Sequence, residues 1–296
     1  MKPKFKGTGI AMLTPFNMQG DVDFDRLSIL TDFLINNGVN YLVALGTTSE
    51  NPTLSKQEKE DIVKCIVDAN GNRVPVVVGV GGNNTAEVTA EIRRMDNSAV
   101  SGLLSVAPYY NKPGQEGLYQ HFSSIAAVSE LPVILYNVPL RTGSNISSGT
   151  ALRLAHDYQD TIVAIKEASG NFTQIMEIIT RRPEGFMVLS GDDALALPMI
   201  SIGGDGVISV IGNAYPAQFS EMIASALNGS YNKAREIHHA LFPMISAIFR
   251  EGNPCGVKAC LSIQGYIENV LRLPLIPASE NLCHEIEELD KAIRNP

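Results

Sequence analysis

The chain has 296 residues, 45% of them hydrophobic and 18% charged, which excludes a disordered, collagen-like or coiled-coil protein and leaves room for one large α/β domain. Twenty-three Lys and Arg stand against 31 Asp and Glu for a net charge of −8, and without a basic patch no nucleic-acid partner is expected. No stretch approaches the roughly 20 apolar residues of a membrane-spanning helix, so no membrane partner is expected either.

The basic start, residues 1–6, leads only to the short apolar run Ile10 to Leu13, too brief for a signal peptide's apolar region of roughly 7–15 residues. Four cysteines, Cys65, Cys255, Cys260 and Cys283, lack CxxC spacing. Both features point to a cytoplasmic protein with reduced thiols.

Eight short β-rich runs then alternate with amphipathic segments: 9–13, 41–46, 75–79, 102–107, 132–137, 162–167, 187–191 and 206–210. Each is largely apolar throughout, as parallel strands covered on both faces are. After the first, Phe24, Leu27, Leu30 and Leu34 make a helical stripe that stops at Asn37-Gly38, a left-handed helix end. After the second, Ser55-Lys56-Gln57-Glu58 is a capping box, followed by Ile62, Val63, Ile66 and Val67 at helical spacing. Eight such units without a linker predict an α/β fold, a closed (β/α)8 TIM barrel over residues 1–228, with 216–227 as its eighth helix. Helices at 231–249, 256–268 and 279–293 would form a C-terminal helical extension, 229–296, packed on the barrel.

Reactive groups of such a barrel stand at the C-terminal ends of its strands. In 162–167, strand parity puts Val163 and Ile165 on one face and Ile162, Ala164 and Lys166 on the other, so Lys166 points into the barrel mouth if the bulkier pair faces the helices. Burial without a partner lowers a lysine's pKa, and a drop of about three units costs ~4 kcal/mol while freeing a useful fraction of amine. Such an amine forms imines with ketones. The alternatives are pairing with Glu167 or Asp192, or snorkelling to the rim.

By the same parity Tyr136 faces the interior, where its phenol either shuttles protons or sits as a tethered core aromatic. Gly46-Thr47-Thr48-Ser49-Glu50 offers hydroxyls and backbone N–H groups suited to a small carboxylate, or a self-capping turn. Arg141 carries a planar fork that could grip a second carboxylate. The five histidines show no metal-binding spacing, and no GxSxG, Walker A or GxGxxG motif is present, so no metal is expected.

Together, Gly46-Thr47-Thr48-Ser49-Glu50, Tyr109-Tyr110-Asn111-Lys112-Pro113, Tyr136-Asn137-Val138-Pro139, Arg141-Thr142-Gly143, Ile165-Lys166-Glu167-Ala168 and Gly206-Val207-Ile208-Ser209 resemble, in order and spacing, the 4-hydroxy-tetrahydrodipicolinate synthase family of class I pyruvate-dependent aldolases. The resemblance spans essentially the whole chain. It implies a lyase of lysine and diaminopimelate biosynthesis that condenses pyruvate with L-aspartate 4-semialdehyde, with no cofactor beyond a covalent Schiff base between Lys166 and pyruvate. It also implies a proton relay of Tyr136, Thr47 and Tyr110, with Tyr110 lent across a dimer interface. Thr48, with the backbone at Gly191 and Ile208, would hold the pyruvate carboxylate, and Arg141 that of the semialdehyde. The implied assembly is a homo-oligomer, a tetramer built from dimers.

Ser49 stands where the family usually has glycine, so an altered backbone angle is expected beside Thr47 and Thr48. The family's lysine effector site corresponds to Lys56, Lys59, Asn83, Glu87 and Tyr109. Two extra ammonium groups, Lys56 and Lys59, should repel lysine and weaken feedback inhibition. Another aldolase of this scaffold, an N-acetylneuraminate lyase or a 2-keto-3-deoxy sugar acid aldolase, is the alternative, although Arg141 suits a carboxylate better than a sugar chain.

Overall fold

The structure, a computed structural model, describes residues 5–294; the basic residues Lys2 and Lys4 lie outside them. Eight strands, β1 Gly7–Ala11, β2 Tyr41–Ala44, β3 Val76–Val80, β4 Gly102–Val106, β5 Val133–Asn137, β6 Ile162–Glu167, β7 Met187–Ser190 and β8 Gly206–Ser209, close in sequence order into a parallel barrel. This is the predicted TIM barrel, with helices following the strands around the outside.

Two apolar layers hold it. One fills the barrel interior, where Phe5 and Tyr41 plug the N-terminal end with ring centroids 5.6 Å apart. Gly9 makes that plug possible, since a Cβ there would lie 2.2 Å from the Tyr41 ring. The other layer lies between strands and helices and continues into the C-terminal helices through Leu241, Ile245, Val257 and Ile286.

Several element bounds differ from expectation for local reasons. The first strand spans Gly7–Ala11 rather than 9–13: it starts early because Gly206 lets β8 approach Gly7 closely, and it stops before Thr14-Pro15, where the hydroxyl of Thr14 donates to the Ser49 carbonyl instead. The second stops at Ala44 because Leu45 adopts a left-handed conformation, φ 54°, that leaves the ladder. The helix expected at 256–268 is Cys255–Ile263, ended by Gly265 at φ 82°, and that expected at 279–293 is Glu280–Arg294. Pro216–Leu227 and Tyr231–Phe249 form as expected.

Helix ends follow the capping signals. Helix Phe24–Asn36 is closed by Gly38 at φ 84°. Helix Lys56–Asn70 has the full capping box, Ser55 N–H to the Glu58 carboxylate at 2.8 Å and Glu58 N–H to Ser55 Oγ at 3.3 Å. The C-terminal helices are tied to the barrel through Asp290, whose carboxylate accepts from the Tyr215 hydroxyl at 2.6 Å and from Gln264 at 2.8 Å. Among the described residues no helix is long and apolar enough to cross a membrane.

Candidate active site

The site is built where β5 and β6 end side by side. Their ladder pairs Val133 with Ile162 and then Ile134 with Ala164, so Val163 is an extra, bulged residue. The bulge corrects the expected parity: Ile162 packs outward with Ile165, whereas Val163 and Ala164 both join the interior layer. Lys166 still points inward, because the irregularity lies before Ala164 and alternation is normal beyond it.

Lys166 is 5% exposed and directly opposite Tyr136 in the ladder, its Nζ 4.3 Å from the ring centroid. It makes no hydrogen bond or ion pair with any described residue. Neither proposed carboxylate partner is used: Glu167 points to the outer face and is held by Asn137, Ser169 and Gln174, while Asp192 accepts the N–H groups of Ala194 and Leu195. Gly191 lies against the lysine stem, where a Cβ would come within 3.1 Å of Lys166 Cε and 2.7 Å of the Ala168 Cβ. Its N–H is donated to the Glu167 carbonyl at 2.8 Å.

Tyr136 lines a cavity of about 350 Å³, whose walls also include Thr47, Gly79, Tyr109, Arg141 and Lys59 but not Lys166, which lies across the ladder from Tyr136. The guanidinium of Arg141 and the ammonium of Lys59 have no ion pair among the described residues, so two unneutralised cations stand at one mouth. Ile208 belongs to the apolar interior below. Thr48 is buried, its hydroxyl bonded to the Asn253 amide at 2.9 Å.

Tyr110 is not brought to the cavity. It is 87% exposed, at φ 69°, and Leu140, next to the cavity-lining Arg141 in sequence, is 93% exposed. Of the remaining residues expected at an effector site, Lys56 forms an exposed ion pair with Glu60 at 3.8 Å, Glu87 is exposed in the first turn of helix Thr85–Arg94, and the Asn83 carbonyl accepts from Asn111 at 3.1 Å.

The Thr47-Thr48 loop is held by contacts the sequence reading missed. Its left-handed residues are Leu45 and Glu50, not Ser49, which sits in a short 3-10 turn and bonds the Gly46 carbonyl through its hydroxyl at 2.7 Å. Serine in place of glycine therefore imposes no left-handed strain there. Glu50 is buried and pairs at 2.6 Å with Lys258, both side chains fully inaccessible, and its second oxygen accepts the Arg272 N–H at 3.0 Å. Burial pulls Lys258 down to about 8, against the opposing pull of Glu50. The signal for this pair was a lone lysine within the apolar run Gly256-Val257-Lys258-Ala259-Cys260-Leu261, which demands a buried counter-charge.

After β7, Asp193 is buried and its carboxylate accepts from the N–H groups of Val210 and Ile211, tying the end of β7 to the end of β8. Burial lifts it to about 6 despite those donors.

The dihydrodipicolinate synthetase family model matches residues 4–293. The 4-hydroxy-tetrahydrodipicolinate synthase of Azobacteroides pseudotrichonymphae is 52% identical over 283 residues, 96% of this chain and 95% of the relative. The dihydrodipicolinate synthase of Thermotoga maritima superposes with a TM-score of 0.95 at 41% identity, covering 98% of this chain and 99% of that one. A monomeric dihydrodipicolinate synthase variant superposes equally, with a TM-score of 0.95 at 40% identity, covering 98% and 97%. An unpaired inward lysine facing a tyrosine at the mouth of a parallel eight-stranded barrel, matched over nearly its full length, places the chain in the dihydrodipicolinate synthetase family.

Proposed function

We propose that the protein is a lyase-class aldolase that condenses pyruvate with L-aspartate 4-semialdehyde to 4-hydroxy-tetrahydrodipicolinate. One observation carries the reading: Lys166 is buried, unpaired and opposite Tyr136, which lines a cavity that also presents the free guanidinium of Arg141. Full-length similarity to 4-hydroxy-tetrahydrodipicolinate synthases supports the substrate pair.

The amine of Lys166 attacks the ketone carbon of pyruvate, and loss of water leaves an imine that draws electrons from the methyl carbon. Removal of a methyl proton gives an enamine, whose carbon attacks the aldehyde of the semialdehyde. The amino group of the second substrate then displaces Lys166 and closes the ring, so the enzyme is regenerated without a redox step. Tyr136 and Thr47, both on the cavity wall, would move protons in these steps. Thr48 and the backbone at Gly191 and Ile208 would hold the pyruvate carboxylate. Arg141 would grip the carboxylate of the semialdehyde through its two-pronged donor face.

A second copy of the chain would complete the relay. Tyr110 and Leu140 project almost fully into solvent beside the site, an arrangement suited to insertion into a partner subunit. The four free thiols support a reducing compartment such as the cytoplasm. Lys59, half-buried on the cavity wall near Tyr109, is placed to repel a cationic effector, so lysine should inhibit weakly; strong inhibition by sub-millimolar lysine would contradict this.

The test is a coupled assay with both substrates, following nicotinamide oxidation by the reductase that consumes the product. Activity in the wild type and its loss in Lys166→Ala are expected; an active Lys166→Ala protein, or an inactive wild type, overturns the reading.

A further inference from the structure

The residues that follow the two reacting side chains form a second pair, back to back with the first. Tyr136 and Lys166 are opposite one another on the inner side of the β5–β6 ladder, and one position further Asn137 and Glu167 are opposite one another on the outer side. The Asn137 amide lies 3.1 Å from each oxygen of the Glu167 carboxylate. Ser169 N–H donates to Oε1 at 2.8 Å, and Gln174 Nε2 donates to Oε2 at 3.0 Å. Asn137 is fixed in turn through its carbonyl, which accepts the Ile146 N–H at 2.9 Å.

Both side chains are buried, at 0% and 1% exposure, and no cation neutralises Glu167 among the described residues. A carboxylate in such a place is costly unless neutral donors surround it, as they do here. An amide at 167 would set its own N–H groups against one of those donors. The charge is thus tied to a specific geometry rather than to filling space.

The ladder explains why that geometry matters. Three residues before Lys166 the bulge at Val163 interrupts regular pairing, so the register of β6 beyond it is less constrained by backbone bonds alone. We propose that Asn137 and Glu167 are positioning residues: their bond on the outer face locks the end of β6 to the end of β5 and so sets Lys166 Nζ against Tyr136 on the inner face. The proposal rests on the reading of Lys166 and Tyr136 as the reacting pair.

Four variants test it: Glu167→Gln, Asn137→Asp, the double exchange of both, and Lys166→Ala. For each, kcat, the pyruvate KM, the rate of borohydride inactivation in the presence of pyruvate, and Tm are measured. Each single exchange should lower kcat and the trapping rate together by about 10- to 100-fold at temperatures well below its Tm, the size of loss expected for misplacing a reacting group by about an ångström. The double exchange restores one carboxylate and one amide across the ladder but keeps an amide against the Ser169 and Gln174 donors, so it should recover only part of the lost kcat, ending between the single variants and wild type, a coupling expected of residues in contact.

Single variants that lose Tm but keep kcat overturn the proposal, as does a double exchange no better than the singles. If the single variants do not fold, Gln174→Met decides the matter. It removes one donor to Glu167 from a neighbouring helix, and should lower kcat about 3-fold; an unchanged kcat overturns the proposal. Trapping that persists in Lys166→Ala would instead reject the lysine reading, whatever the outer pair does.

Discussion

Two lysines are buried among the described residues, and only geometry tells their roles apart. Lys258 is the more deeply buried and is drawn down to about 8, yet it is engaged by Glu50 and by the Val270 carbonyl at 2.9 Å. Lys166 has no such partner and lies across from a tyrosine at the cavity. Lys166 and Tyr136 were legible in the sequence because each is a polar residue at the end of an apolar strand, whereas Arg141, in the short helix Pro139–Thr142, stood out only by its charge. Glu50 and Asn253 were not, since their partners lie more than 200 positions away in sequence. Gly191 offers the sharpest prediction at this scale. Gly191→Ala places a methyl group where Lys166 Cε and the Ala168 Cβ already press, so the amine must shift. We expect kcat to fall by about 10-fold or more, beyond a modest loss of Tm from the close Ala168 contact; steady-state kinetics and calorimetry decide, and wild-type kcat would contradict the account.

The same reach across the chain governs the elements. The loop that carries Thr47 and Thr48 leaves the barrel through left-handed Leu45 and Glu50, and it is the C-terminal segment, through Asn253, Lys258 and Arg272, that holds it. Glu50→Gln leaves a buried ammonium without its counter-charge. Unfolding in urea should show a loss of about 3–5 kcal/mol, accompanied by a raised pyruvate KM; a change below ~0.5 kcal/mol would place the pair among dispensable surface features. Strand parity succeeded at Lys166 and failed at Ile162 because a bulge is a property of two paired strands, which one strand's pattern does not reveal.

Helix Gln115–Val128 supplies a pH response. Burial lowers His121 to about 4, so the folded protein keeps it neutral while an unfolded chain takes up a proton near 6.5. Its contribution is intact above pH 6.5 and is lost as the pH falls from there to about 4. Glu58, lowered to about 2 chiefly by its hydrogen bond from Arg272, adds stability above pH 4.5 that disappears between 4.5 and 2. Urea midpoints measured from pH 7 to 4 should therefore decline, and His121→Gln should flatten the decline by up to ~1.4 kcal/mol per pH unit; an identical slope in the variant would contradict it.

For the whole molecule, barrel closure was readable from eight unbroken strand–helix units, since each apolar strand needs cover on both faces and the chain provides it in order. The exact strand starts were not, because close approaches such as Gly206 on Gly7 arise only once the barrel closes. At this scale the exposure of Tyr110 and Leu140 bears on the proposed association with a second copy. Sedimentation should show an oligomer, and Tyr110→Arg should yield smaller species with reduced kcat; a fully active monomeric wild type, in keeping with the monomeric variant of the same fold, would contradict the shared relay.

The proposed chemistry depends on one bond. Incubation with pyruvate and borohydride, followed by peptide mapping by mass spectrometry, reads it directly. A single reduced pyruvyl group on Lys166, absent without pyruvate, is the result the account predicts. An adduct on Lys258, Lys59 or any other lysine, or none in an active protein, would contradict it.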